Sequence, residues 1–240
     1  MCAIIGTVNH ELNRLCLSRL YSRGPDYNSV YKNKNVNFAH ARLSVIDAEG
    51  GNQPMQSISG NSTIIFNGEI YNARELDTAY KSDTRVLLEY YEKHGIEKTL
   101  QDINGMFSFA IFDKKQNKIL IARDRLGVKP LFYYNKDNKL IFCSEINPIK
   151  DEIGTNNLSI NTTALSVYFR LFFIPSPITI WNEIESLKQG NYLIYDLKSN
   201  QLQQKTYWKL SQPERSKSNI SKLEELIEDA SIIRTRSDVP

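Results

Sequence analysis

The sequence predicts an α+β fold with antiparallel sheets, and three features of the chain support this. Short apolar or alternating runs, typical of strands, dominate its first two thirds. Two polar stretches, 114–118 and 136–139, lie between neighbouring runs in the manner of hairpin connections. Two helical segments, 83–91 and 161–173, interrupt the strands. The predicted strands are 3–8, 63–67, 107–113, 119–124, 131–135, 140–144, 192–196 and 203–208.

Each predicted helix has recognisable ends. Asp83 is placed to cap the first turn of one helix, which we expect to end at Gly95. The helix over 161–173 is stopped by Pro175 and Pro177, since proline cannot continue a helix.

A third helix is predicted near the C-terminus, after a polar, proline-containing stretch at 209–218 that reads as a linker. Residues 221–224 form a capping-box pattern, and an apolar stripe follows it. We therefore divide the chain into a domain at 1–208 and, at 209–240, a linker with the first helix of an incomplete second domain. The stripe consists of Ile220, Leu223, Ile227, Ala230 and Ile233.

Composition excludes several classes of protein. With 240 residues, 41% hydrophobic and 24% charged, the chain is an ordinary globular protein with room for one sizeable core. A net charge of +3 is too small to indicate a nucleic-acid partner, and no apolar run is long enough to span a membrane. Three cysteines without metal-ligand spacing favour reduced thiols, a cytoplasmic location and no metal site. We expect Cys16 and Cys143 to be packing residues.

Cys2 is the strongest candidate for a catalytic residue, because it directly follows the initiator methionine. Removal of Met1 would leave a thiol and a free α-amino group on one residue. An amine with a pKa of about 7.7–8.0 can accept the thiol proton near neutral pH. A Cys–His dyad is the alternative. His40 is the histidine closest in sequence to the candidate pocket residues, but we expect it to be a structural residue within a strand.

Four further features could bind or polarise a substrate. The Arg42 guanidinium could bind a carboxylate, or it could be a surface side chain beside a strand. Asn67 and Gly68 could converge on an oxyanion, although Asn-Gly is also a common turn pair. Asp83 could hold an ammonium group rather than only cap its helix. The turn at 23–26 could brace the N-terminus or have no chemical role.

These features occur in an order that resembles the glutaminase domain of asparagine synthetases, in the class II (N-terminal-nucleophile) family of glutamine amidotransferases. The resemblance implies a four-layer αββα sandwich of two antiparallel sheets, of the Ntn-hydrolase type, followed by the start of an α/β synthetase domain. In that family, RSDVP leads into an ATP-pyrophosphatase loop. The motifs that carry the resemblance are MCAIIG, RGPD, HARLSVID, NGEIYN, SDTRVLLEYYEKHG, INGMFSFAIFD, RDRLGVKPLFYY, FCSEI, IPSPITIWNEIESLKQGNYL and RTRSDVP.

The resemblance assigns a role to each matching residue. Cys2 is the nucleophile, with its own α-amine as base, and Asn67 and Gly68 form the oxyanion hole. Arg42 binds the α-carboxylate of glutamine and Asp83 its α-ammonium. The implied steps are thiolate attack, loss of ammonia, formation of a γ-glutamyl thioester and hydrolysis to glutamate. The remaining residues expected to line the glutamine site are Leu43, Ser44, Val45, Ile46 and Glu69.

For the complete enzyme the resemblance implies activation of aspartate with ATP and Mg²⁺, followed by transfer of ammonia to make asparagine. No cofactor is expected in this fragment, and neither nucleic acid nor a membrane is an expected partner, while a homodimer stays open. Two rival functions also stay open: an amidotransferase that serves another acceptor, and an inactive truncated binding module.

The chain departs from the family pattern in four places. Ser22 replaces a histidine and Ala3 replaces a glycine. The segments at 6–23 and 72–82 are short, and the second change could shorten the loop that closes over glutamine.

Overall fold

The computed structural model describes residues 2–13, 15–45, 50–79, 81–211 and 220–235. Twelve strands are present in this part of the chain, and every pairing between them is antiparallel, as predicted. The strands are β1 (Ala3–Val8), β2 (Tyr27–Asn33), β3 (Val36–Arg42), β4 (Met55–Gln56), β5 (Ser62–Ile70), β6 (Gly105–Asp113), β7 (Lys118–Arg123), β8 (Phe132–Lys136), β9 (Lys139–Cys143), β10 (Glu185–Ser186), β11 (Asn191–Asp196) and β12 (Gln201–Thr206).

The strands form two sheets of six. The first sheet has the order β10-β8-β9-β1-β3-β2, and the second has the order β12-β11-β7-β6-β5-β4. The N-terminal strand β1 is therefore central in its sheet, paired with β3 on one side and β9 on the other. This position holds the start of the chain firmly, because ladders on both sides fix its register.

Alternation along the strands sorts their side chains into separate cores. In β1, Ile4 and Val8 face a core shared by both sheets, while Ala3 and Ile5 face the opposite side. Successive side chains of a strand point to opposite faces, so every central strand buries apolar groups on both sides. The two sheets therefore pack face to face, each with a second apolar surface left to cover.

Helices cover those outer surfaces, which gives the four αββα layers. Two helices, α1 and α4, pack on the outer face of the first sheet, and α2 and α3 pack on that of the second. The described helices are α1 (Leu15–Arg19), α2 (Ala73–Leu76), α3 (Asp83–Asp102), α4 (Ile146–Ile153), α5 (Thr162–Leu171) and α6 (Ile220–Arg234). The predicted α+β class and two antiparallel sheets are confirmed.

One detail of the predicted helices is wrong and another is confirmed. The cap of α3 is Ser82, whose hydroxyl accepts a hydrogen bond from the Arg85 N–H at 3.4 Å, and Asp83 is the first helical residue. Gly95 has the non-helical angles φ 76° and ψ 171°, so the first helix ends there as predicted, and a second helical segment follows within the range of α3. Glycine tolerates this positive φ, which lets the chain kink between the two segments.

The C-terminal helix α6 forms as predicted, but none of its residues is buried. Arg234 lies 4.8 Å from the ring centroid of Tyr71. Residues 212–219 of the predicted linker and the terminal residues 236–240 lie outside the described part. Among the described residues, no helix combines the length and the hydrophobicity that a membrane span requires. The exposed apolar side chains of α6 are Ile220, Leu223, Leu226, Ile227 and Ile232.

Candidate active site

A cleft of about 190 Å³ opens at one end of the layer between the two sheets. The first sheet contributes Cys2, just before β1, and Arg42, at the end of β3. The second sheet contributes the last part of β5, and the first turn of α3 closes one side with Asp83. This volume lies below the roughly 300–1,000 Å³ of sites for drug-sized ligands, so the cleft suits a small metabolite.

The Cys2 thiol is held at the base of this cleft. The backbone N–H of Leu43 donates to its Sγ at 3.4 Å. Burial raises the pKa of the Cys2 thiol, while the Leu43 N–H and the positive charges of Arg42 and Lys129 act in the opposite direction. Because burial is the largest of these effects, the thiol needs a base to become the nucleophilic thiolate.

The turn at 23–26 braces the N-terminus. The Arg23 Nε donates to the Cys2 carbonyl at 3.2 Å, and its guanidinium lies 3.6 Å from the Glu145 carboxylate. The turn also packs closely against β3. A Cβ on residue 24 would lie 2.2 Å from the backbone of Ala41, so this position requires glycine. Of the two interpretations of this turn, the contacts favour the brace.

Asn67 and Gly68 lie inside β5 rather than in a turn, so the turn interpretation is wrong. They pair with Ser108 and Phe107 of β6. Asn67 is only 1% exposed, and its Nδ2 has no hydrogen-bond partner among the described residues. A Cβ on Gly68 would lie 2.2 Å from the Met106 carbonyl oxygen, so the close pairing of β5 with β6 requires glycine. Asn67 thus lines the cleft together with Cys2 and carries a buried amide nitrogen without a partner in the described structure.

Arg42 is 4% exposed, so the interpretation as a surface arginine is also wrong. Its Nη1 donates to Asn52 Oδ1 at 2.7 Å, and the side chain lines the cleft. Leu43 and Val45 line it as well. Ser44 does not; its backbone N–H instead donates to the Asp26 carboxylate at 2.7 Å. Ile46, the remaining residue of the predicted wall, lies outside the described part.

Asp83 sits in the cleft as a carboxylate held by neutral donors. Its oxygens accept from the backbone N–H groups of Ile70 at 3.0 Å and Thr84 at 2.7 Å. No cationic side chain of the described residues forms an ion pair with it. Burial raises its pKa to about 6, against these hydrogen bonds. Such a group favours a ligand that brings a positive charge.

A family model for the glutamine amidotransferase domain matches residues 1–208. The chain belongs to the glutamine amidotransferase family. It is 35% identical to a putative glutamine-hydrolysing asparagine synthetase 2 of Methanocaldococcus jannaschii, over the whole chain and 53% of that relative. It is 31% identical to asparagine synthetase 1 of Bacillus subtilis, over the whole chain and 41% of that relative. The chain thus spans about half the length of these curated relatives, or less.

Solved structures with the same fold include two enzymes at low identity. The glutamine phosphoribosylpyrophosphate amidotransferase of B. subtilis matches 86% of this chain and 49% of its own, with a TM-score of 0.63 and 16% identity. The match to an allosteric regulatory enzyme of purine biosynthesis covers 86% of this chain and 49% of that enzyme, with a TM-score of 0.61 and 18% identity. These likenesses concern the fold, and they place this amidotransferase chain among Ntn-hydrolase-type sandwiches.

Gln53 and Lys129 are among the residues of the amidotransferase cleft that escaped the sequence analysis. Gln53 is buried: its Oε1 accepts from the Phe66 N–H at 2.6 Å, and its Nε2 donates to the Thr84 hydroxyl at 3.3 Å. It therefore ties β5 to the first turn of α3. Lys129 also lines the cleft. Its motif RDRLGVKPLFYY was noticed only as a sign of the family, and nothing local indicates that its ammonium comes close to Cys2.

His40 does not line the amidotransferase cleft. Its ring is fully buried, with Nε2 3.1 Å from the Phe66 carbonyl oxygen. Burial lowers its pKa to about 4, so the imidazole is neutral near pH 7. These contacts favour the structural role over the Cys–His dyad. Among the described residues, no group of three or more His, Cys, Asp or Glu side chains is arranged to hold a metal ion.

Proposed function

We propose that this chain hydrolyses glutamine to glutamate and ammonia, with Cys2 as the nucleophile. The observation that carries the proposal is the convergence of four groups in one cleft. They are a thiol, a buried guanidinium, an amide donor without a partner and a carboxylate without a cation, supplied by Cys2, Arg42, Asn67 and Asp83. Membership of the glutamine amidotransferase family supports the same substrate.

The binding step uses the two charged groups of the cleft. Arg42 takes the α-carboxylate of glutamine, since a guanidinium matches a carboxylate with two parallel hydrogen bonds. Asp83 takes the α-ammonium, which supplies the positive charge that this buried carboxylate lacks. With both ends of the amino acid fixed, the side-chain amide is directed toward Cys2. Leu43, Val45 and Glu69 complete the wall of the site.

The chemical step begins at the N-terminus. After removal of Met1, the α-amine of Cys2 accepts the thiol proton, and the sulfur attacks the amide carbon. The negative charge that develops on oxygen is stabilised by the Asn67 Nδ2 and the Gly68 N–H. Collapse of this intermediate breaks the C–N bond, and the α-ammonium returns its proton to the departing ammonia. A water activated by the same amine then cleaves the thioester, which releases glutamate and restores the thiol.

The ammonia acceptor is inferred from the relatives. We propose that the complete protein is a cytoplasmic, glutamine-dependent ligase that converts aspartate to asparagine with ATP and Mg²⁺. Residues 1–208 would form the glutaminase domain, and 209–240 the linker and first helix of the synthetase domain that binds ATP and Mg²⁺. The unburied apolar side chains of α6 support this division, because such a stripe normally packs against a partner. The three free thiols favour the cytoplasm.

The test of the glutaminase is release of glutamate by the purified chain. We expect activity in the wild type, none in Cys2→Ala, and near-normal activity in the matched control Cys16→Ala, because Cys16 lies on the outer face of the first sheet. Mass spectrometry establishes that Met1 has been removed. Wild-type protein that lacks Met1 and releases no glutamate would contradict the proposal. Glutamine-dependent formation of asparagine by the complete protein, with ATP and aspartate, tests the acceptor.

A further inference from the structure

Lys129 is a buried lysine in the connection between β7 and β8. It is 6% exposed, and it lines the same cleft as Cys2. Its backbone is fixed on both sides, because its N–H donates to Asp124 Oδ2 at 2.9 Å and its carbonyl accepts from Arg123 Nε at 2.8 Å. The stem of the side chain therefore starts from a rigid position.

Asp124 makes this connection rigid. Its buried carboxylate accepts hydrogen bonds from four backbone N–H groups, three within the connection and one from β6. Because the fourth bond reaches β6, the connection is tied to the strand that pairs with β5 beside the cleft. The four donors are Phe107, Leu126, Val128 and Lys129.

The ammonium of Lys129 has no partner of its own. Within the described part of the chain, no side chain or carbonyl accepts a hydrogen bond from it, and no carboxylate pairs with it. Burial and the charge of Arg23 lower the pKa of Lys129, while Cys2 and the carboxylates of Asp124 and Glu69 raise it. Most of the side chain is buried, but Nζ is not among the fully buried nitrogens, so the ammonium reaches the cleft that Lys129 lines.

The other two cations near Cys2 already have contacts. Arg42 donates to Asn52 and, in the proposed reaction, binds the substrate carboxylate. Arg23 holds the Cys2 carbonyl and lies against Glu145. Neither of these contacts involves the Lys129 ammonium, and Lys129 lines the same cleft as Cys2. Arg23 still has one buried nitrogen, Nη2, without a partner in the described structure.

We propose that Lys129 is a positioning residue that places a positive charge beside Cys2 and thereby favours the thiolate form of its side chain. This inference rests on the proposed glutaminase function. When the thiol transfers its proton to the α-amine, negative charge develops on the sulfur, and attraction to the ammonium lowers the free energy of that state. An opposite charge within a few ångströms typically changes a pKa by about 1–3 units.

The test measures the thiol itself, without substrate. Iodoacetamide alkylates a thiolate by forming an S–C bond as iodide leaves, so the rate of Cys2 alkylation against pH, followed by mass spectrometry, reports the thiolate fraction. In Lys129→Met we expect the midpoint to rise by about one pH unit or more. We expect Lys129→Arg to stay close to wild type, and Lys32→Met, on the exposed side of β2, to leave the profile unchanged.

The catalytic readout separates this role from a merely structural one. Lys129→Met should lower kcat/KM for glutamine at pH 7 by about 3–10-fold, because a smaller fraction of Cys2 is thiolate. The loss is limited because the thiolate of a less acidic thiol is intrinsically more nucleophilic. The loss should shrink as the pH rises, and KM should change little. Lys129→Gln, which keeps a polar end group, replaces Lys129→Met if that variant does not fold.

Each outcome decides between the two claims. An alkylation profile of the neutral variant that overlays the wild type would overturn the role of Lys129, whatever the glutaminase activity. A Lys129-dependent profile in a protein that lacks Met1 and releases no glutamate would keep the Lys129 inference and reject the proposed function. Measuring the N-terminal mass of every variant ensures that the same α-amine is present in each.

Discussion

The layer between the two sheets has an apolar end and a polar end, and the same strands build both. In β3, Phe38 lies in the shared apolar core, whereas Arg42, four residues later and on the same face, lines the cleft. In β5, Ile65 lies in the core and Asn67 beside the cleft. Alternation fixes which face each side chain takes, and the change in residue type along the strand marks where the core becomes a site.

The two ends differ in how well they satisfy their buried groups. At the apolar end, Phe38 and Phe142 pack edge to face, with ring centroids 5.9 Å apart. Five buried side-chain atoms have no partner in the described structure. Four of them lie toward the polar end, namely Arg23 Nη2, His40 Nδ1, Asn67 Nδ2 and Ser108 Oγ, whereas Thr63 Oγ1 lies two residues before Ile65, toward the apolar end. Each such group costs about 1–3 kcal/mol. The comparison indicates that most of the cost of unpartnered polar groups falls at the end that carries the cleft.

The largest expected effect on folding comes from the apolar end. Phe142→Ala should lower the free energy of unfolding by about 3–5 kcal/mol, because it removes a fully buried ring. The activity per folded molecule should stay within about twofold, since the ring lies outside the cleft. Urea denaturation and glutaminase assays under folding conditions measure both quantities. A loss of activity much greater than the loss of folded protein would mean that the apolar end also contributes to activity.

The polar end should behave in the opposite way. Asn67→Ala should reduce kcat by about 10²–10³-fold, the usual result of removing one oxyanion donor. The free energy of unfolding should stay the same or rise slightly, because the substitution removes a buried amide nitrogen that has no partner, while the small cavity left behind offsets part of that gain. Steady-state kinetics and urea denaturation on the same preparation test this contrast. Unchanged kcat would exclude Asn67 from the oxyanion hole.

Removing the guanidinium of Arg42, at the end of β3, should weaken the binding of glutamine. Arg42→Ala should raise KM for glutamine about tenfold to a hundredfold, because a hydrogen bond to a charged group contributes about 1.5–3 kcal/mol. Arg42→Lys keeps the charge but loses the paired geometry, so we expect an intermediate KM. Initial rates over a range of glutamine concentrations measure it. An unaltered KM in Arg42→Ala would mean that the α-carboxylate binds elsewhere.

The smallest expected effect is a pH dependence of KM for glutamine that comes from Asp83 at the polar end. Since the pKa of Asp83 is about 6, this carboxylate becomes protonated as the pH falls through 6, and KM for glutamine should rise there. Asp83→Asn should raise KM at every pH and remove this dependence. KM profiles between pH 5 and 8 distinguish the two proteins. The same inflection in both would assign it to another group.

Asp83 should also affect stability, with a defined sign. Its pKa in the folded protein lies above its ordinary value of 3.8, so the folded state holds more protons than the unfolded state between these values. The free energy of unfolding should therefore decrease as the pH rises from about 4 to 6 and level off above that window. Asp83→Asn should show a smaller decrease.

Local patterns in the sequence predicted most of the strands and three of the six described helices, but not the short helices α1, α2 and α4. The alternating runs predicted eight of the strands, because burial on a sheet face imposes a period of two. They missed β2, which is largely exposed and polar, and the two-residue strands β4 and β10. They also gave no range for β3, although His40 was expected to lie within a strand. Cys2, Arg42, Asn67, Gly68 and Asp83 were each ambiguous alone, and their order along the chain, which resembles a known family, singled them out.

The tertiary structure decided what those residues face. Asn67-Gly68 has the composition of a turn, yet pairing with β6 keeps it in a strand, because ladder hydrogen bonds outweigh local preference. Lys129 lies 127 positions from Cys2 (129 − 2), and only the packing of the two sheets brings both into one cleft. The raised pKa of Asp83 also depends on burial. The sequence determined which groups exist and which strand face each takes, whereas distance, burial and the lack of partners arise only when distant segments pack.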